Sequence, residues 1–269
     1  MSPGEDELTV VNAHEDKARR SRLAIVLGIS IALAMFLVRQ PSIAGLPGYV
    51  LSTGVLLGAF ALGWWSGLFT RAHAVLRLST IRREGLSATA KLNLGDFTGA
   101  KEAFAKLLVT ARPLGAFHAV HVLMYGVTRF FEGDTKEGLT LVSRTIDSGW
   151  LDLRHTREVR DAAEAWRVLM LLDSGQLAEA RRKVDSGAKV GTAAITVSAF
   201  EGKWEAVFEE ATRALGDQAF SKQARPTAAV LGLFAAKQLG RDAADFKACL
   251  EKEPLGPLAM KNPVLQKFL

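Results

Sequence analysis

The sequence predicts an all-α chain: an N-terminal transmembrane helical hairpin followed by an α-solenoid of about five helix-turn-helix units. Three observations lead there. Two apolar runs without charge lie early in the chain, at 23–38 and 49–69. Beyond them a glycine turn, followed by small and apolar residues at helical spacing, recurs five times. Finally, 49% of the 269 residues are hydrophobic and the mean hydropathy is +0.14, high for a chain that stays wholly in water.

Residues 1–22 read as a cytoplasmic leader, acidic at GEDELTVVNAHED and predicted to be disordered. The run at 23–38, bounded by Arg22 and Arg39, reaches about 24 Å as a helix and spans a bilayer only if those arginines snorkel. The run at 49–69 reaches about 31 Å, with Tyr49 at one end and Trp64 and Trp65 toward the other. Between them Pro41 and Pro47 stop the first helix and permit a reversal. Lys17, Arg19, Arg20 and Arg22 precede the hairpin, and Arg71, Arg77, Arg82 and Arg83 follow it. The positive-inside rule then puts both termini in the cytoplasm of a multi-pass protein, with lipid met through the spans and the basic flanks. An alternative treats the first run as a signal peptide cut after Ser42-Ile43-Ala44. Gly28, the pair Gly54 and Gly58, and the pair Gly63 and Gly67 are candidates for close packing within the spans, although glycine is common in membrane helices anyway. The single cysteine, Cys249, forms no internal disulfide, which fits a reducing compartment and the cytoplasmic face of a bacterial inner membrane.

From 70 to 252 the pattern changes to paired helices. In LNLGDFTGAKEAFAKLL, Gly95 ends one helix in the left-handed conformation and Asp96 caps the next. Phe97, Ala100 and Phe104 then share one face. Gly133 precedes Gly138 and Val142; Gly175 precedes Ala180 and Val184; Gly202 and Trp204 precede Val207 and Ala211; Gly240 precedes a weaker Asp245 and Cys249. These turn glycines recur after 38, 42, 27 and 38 residues. Residues 253–269 read as a C-terminal cap whose helix covers the last exposed repeat face.

The turn glycine, the aromatic two residues later, the small residue and the second aromatic resemble the tetratricopeptide repeat family over residues 72–252. The resemblance implies stacked hairpins that dock other proteins. On that reading the first helices line the groove, with Ala88, Lys91, His118, His121, Met124, Arg160, Glu164 and Arg167 as candidate contacts.

The chain lacks the phosphate-cradling, dinucleotide, nucleophile-elbow and zinc-protease motifs, so no catalytic residue, cofactor or small-molecule substrate is expected. His118 and His121 share a helical face but are too few for a metal site. Lys247 and Lys252 beside Cys249 could activate its thiol, against the plainer reading of an inert core residue. The +6 charge falls beside the apolar runs, not among aromatics as in nucleic-acid platforms. The function expected is a membrane-anchored cytoplasmic scaffold that docks a protein partner. The alternative is an accessory subunit of a larger membrane complex, joined through its transmembrane hairpin.

Overall fold

The computed structural model describes residues 8–38, 42–43, 46–65, 68–153, 156–187, 190–217 and 224–269. Helix α1 (Ala13–Val38) and helix α2 (Gly48–Trp65) form an antiparallel hairpin, joined by a two-residue antiparallel pair that sets Ser42 against Pro47. Helix α3 (Leu68–Leu76) leads into five helical pairs: α4 (Leu78–Asn93) with α5 (Phe97–Ala111), α6 (Ala116–Phe131) with α7 (Thr135–Asp147), and α8 (Arg157–Asp173) with α9 (Leu177–Asp185). The last two pairs are α10 (Thr192–Phe200) with α11 (Trp204–Gly216), and α12 (Ala224–Leu239) with α13 (Ala244–Lys252). A short helix α14 (Pro257–Met260) and a 3-10 turn (Leu265–Phe268) finish the chain.

The leader and the spans differ from the sequence expectation. Helix α1 begins at Ala13, ten residues before the apolar run, because Asn12 caps it: its side-chain oxygen accepts from the His14 N–H at 2.9 Å, and Glu15 and Asp16 favour the positive helix end. In the second apolar run the described helix α2 covers Gly48–Trp65, and its 18 residues reach about 27 Å, short of a hydrocarbon core of roughly 30 Å. The charge-free part of α1 begins only after Arg22. Among the described residues no helix is long and apolar enough to cross a membrane. The predicted transmembrane hairpin and the multi-pass inner-membrane location with both termini cytoplasmic are corrected accordingly. Of the basic flank, Arg20 is engaged elsewhere: it pairs with Asp16 and lies 5.5 Å from the Trp150 ring.

The α1–α2 seam is made by Ala34, Ser52 and Ala59, all buried, while a β-carbon at Gly28, Gly54 or Gly58 would meet nothing within 4 Å. Gly63 lies in α2, and Gly67 and the first seven residues of the leader lie outside the described residues. Outward from the seam, Ile25, Ile29, Met35, Phe36, Leu57 and Phe60 are each more than half exposed.

The five pairs turn by one device. Gly95, Gly133, Gly175, Gly202 and Gly240 all have positive φ, between 64° and 93°. In each, the residue after the glycine donates its N–H to the carbonyl five residues back, as Asp96 does to Lys91 at 3.0 Å and Arg241 to Ala236 at 2.9 Å. This arrangement satisfies carbonyls that a helix end leaves open. Asp96 and Asp134 then cap the following helices by accepting from Gly99 and Glu137. Ala100, Phe104, Ala180, Val207 and Ala211 are buried at the contacts between helices. At Gly126 and Gly138 the α6 and α7 backbones approach so closely that a β-carbon on Gly138 would lie 2.8 Å from the Gly126 carbonyl oxygen. In the fifth pair the buried anchor is Phe246, which fills the space left by Gly232; Asp245 is exposed.

Candidate partner-docking site

Two segments of the chain lie on the helical pairs. The first is residues 8–13. Leu8 and Val10 pack against the main core, and Thr9 and Val11 face outward. The Trp150 indole N–H donates to the Val11 carbonyl at 2.7 Å, and the Ser148 carbonyl accepts from the Ala13 N–H at 2.9 Å. Gly115 makes room for the Trp150 ring. An open cleft of about 540 Å³ is lined by Thr9, Val10, Asn12, Arg144, Asp147 and Ser148.

The second segment is the C-terminal tail. It does not merely cover the last pair, as the sequence reading expects; it runs back to the first. Phe268 sits edge-on to Phe200 and Phe234, with ring centroids at 5.5 and 5.4 Å. Lys267 lies 5.0 Å over Phe200. Leu265 joins the core of the fourth and fifth pairs, and Val264 joins the main core built by the first four. At the other end the Lys261 ammonium donates to the Gly95 carbonyl at 3.0 Å and lies 5.2 Å over the Phe97 ring. Phe97 in turn stacks on Phe131 at 5.0 Å. Asn262 makes the bend between these anchors, its side-chain oxygen accepting from the N–H groups of Val264 and Leu265 at 3.0 and 3.3 Å. The tail thus touches the first pair through Lys261 and the last pairs through Phe268, anchors seven residues and so at most about 25 Å apart along the chain.

The first-helix positions expected to line a groove are distributed unevenly. Lys91 is exposed, Met124 is half-buried, and Arg160 is partly exposed and paired with Asp152. Ala88, His118, His121, Glu164 and Arg167 are buried. Burial pushes the His121 imidazole down to about 4; the Phe117 carbonyl opposes this and the neighbouring His118 adds to it. Arg167 donates to Glu164 Oε1 at 2.9 Å, leaving its own Nε without an acceptor, and lies 3.7 Å from Asp147. Such a buried pair orders α8 more than it offers a contact.

Charge at the turn edge is committed to holding helix ends. Arg181 donates from Nε to Glu201 at 2.8 Å, and this bond, with Lys203 beside it, holds the Glu201 carboxyl at about 2. Burial would lower the proton affinity of Arg129, but hydrogen bonds to Glu137 and Glu132 outweigh it and raise the guanidinium above its ordinary value. Cys249 is pushed upward by burial and by Glu253, with Arg225 and Lys252 opposing, so its thiol is not activated. Among the described residues no group of three or more His, Cys, Asp or Glu converges.

Sequence reasoning missed Trp150, Lys261, Asn262, Val264 and Phe268 as docking residues. Asn262-Pro263 followed by Val264, Leu265 and Phe268 at helical spacing is the signal that marks the tail as amphipathic. No protein-family model, curated protein or solved structure matches this chain, so its functional reading rests on this geometry.

Proposed function

We propose that the repeat domain is a docking scaffold for another protein. The observation that carries this reading is the seated tail, a short polypeptide held on the repeats by inserted side chains and one main-chain carbonyl contact. Surfaces that bind helical segments work this way, with apolar anchors at helical spacing and polar contacts at the margin. Tetratricopeptide-type repeats, which the turn glycines resemble, serve the same kind of role. Cross-linking mass spectrometry on the full chain in its native cells tests the proposal. Cross-links to one partner should concentrate on residues 78–252. Cross-links confined to the α1–α2 hairpin would refute the scaffold reading.

A further inference from the structure

We infer that helix α1 pairs with α1 of a second copy of this chain, antiparallel and about a two-fold axis. This goes beyond the scaffold reading and does not rest on it. Helix α1 carries two rows of residues at the same 4-3-4 spacing. Leu23, Leu27, Ser30 and Ala34 are partly or fully buried, and their burial marks the face that meets α2. Ile25, Ile29, Ala32 and Phe36 repeat that row two residues further on, which is about 200° around the helix. All four are exposed, and Ile25, Ile29 and Phe36 are 57–62% exposed. Exposed Val26 and Leu33 widen this second row to an apolar stripe about 100° across, the width with which a helix ordinarily faces a core.

The 4-3-4 spacing is that of a two-helix seam, and this seam fits itself. Aligned antiparallel about its midpoint, Ile25 of one copy meets Phe36 of the other, and Ile29 meets Ala32. A large side chain then opposes a small one beside the axis, which lets the helices close. Charge selects the direction. Lys17 and Arg22 are exposed just before the row, and parallel pairing would set both copies' cations side by side. The antiparallel pair keeps the two Arg22 residues about 25 Å apart along the helices. Because α1 meets the repeats at Ala13 and Arg20, ahead of the row, it also sends the two repeat domains to opposite ends. Area sets the strength. The exposed stripe amounts to roughly 500 Å² per chain, so the pair buries on the order of 1,000 Å², the low end for a specific interface and one that dilution separates. The same patch serves both copies, so association closes at two.

Sedimentation of the full chain over a concentration series tests this. The mass should rise from the 29.0 kDa of one chain to twice that value and stop there. Ile29→Glu puts a charge into the seam and should weaken the pair about ten-fold or more. Leu57→Glu, on the exposed side of α2, should leave it unchanged. The row is bare in a single chain, so Ile29→Glu should not move the urea midpoint of the dilute protein; if it does, Phe36→Ala replaces it in the same comparison. Register is read from two variants, Ile25→Cys and Phe36→Cys, each also carrying Cys249→Ser. Their mixture should form an interchain disulfide that neither forms alone. A mass that stays at one chain, growth past two chains without a plateau, equal weakening by Ile29→Glu and Leu57→Glu, or disulfides only between like chains each overturns the inference.

Discussion

Two helical hairpins in this chain share a topology and differ in where they put their apolar side chains. Helices α6 and α7 bring backbone against backbone at Gly126 and Gly138, with Tyr125, Val127, Phe130, Leu141 and Val142 buried around them. In helices α1 and α2 the buried side chains among the described residues are Ala34, Ser52 and Ala59, and Ile29 and Leu57 remain 62% and 64% exposed. The difference does not lie in apolar content, which is at least as high in the first hairpin. It lies in neighbours: α6–α7 is flanked on both sides by other pairs, whereas α1 meets the repeats near its start, at Ala13 and Arg20, and packs chiefly on α2. An inside is made by stacking, and a contiguous apolar exterior marks a surface on which another surface acts.

Matched truncations break or support this contrast most directly. Phe104→Ala, in the stacked repeats, should cost about 3–5 kcal/mol in urea unfolding of the full chain. Phe36→Ala, on the hairpin exterior, should stay within about 0.5 kcal/mol. Equal losses would erase the distinction.

Acid probes how dry the repeat interior is. Buried His121 titrates at about 4 in the fold against 6.5 for the free side chain, so between those values the unfolded chain holds the extra proton. Stability from neutral His121 is complete above about pH 6.5 and lost as pH falls toward 4, by at most about 3 kcal/mol. Thermal melts across that window should show the slope, and His121→Phe should lessen it.

Glycine substitutions sharpen the comparison further. Gly138→Leu should destabilise by about 1–3 kcal/mol or more by forcing α7 off α6. Gly54→Leu meets open space and should be neutral or slightly stabilising, since leucine favours a helix over glycine by up to about 1 kcal/mol. A large loss at Gly54 in chemical denaturation would mean that the first hairpin has a packed interior after all. Asp134→Ala removes the α7 cap and should cost about 1 kcal/mol by the same measurement.

What could be read in advance follows from how local each determinant is. The turn at Gly95-Asp96 could be read because a left-handed residue and a side-chain cap are decided within a few positions, and the same holds at Gly133-Asp134. In the fifth pair the helix starts at Ala244, four residues after its glycine instead of two, with the Asp242 side chain accepting from the Ala244 N–H, and the anchor falls at Phe246 instead of Asp245. The longer turn shifted the face. An apolar run of 21 residues at 49–69 does not by itself decide whether a helix is long and apolar enough to cross a membrane, and among the described residues none is. Asn12 could have been recognised as the α1 cap from its place before Ala13-His14-Glu15-Asp16. The Lys261 contact with Gly95 joins residues 166 positions apart, and no local pattern in either stretch announces it.

That clasp changes how the molecule should come apart. Stacked repeats are ordinarily a one-dimensional chain in which each unit answers only to its neighbours and the ends fray first. Here the first pair is tied to the last two through Lys261, Val264, Leu265 and Phe268. Neither terminal pair is then a free end, and loosening either one withdraws support from the other. With the clasp closed, unfolding is expected to be all-or-none; with it open, the same repeats are expected to melt progressively from the edges.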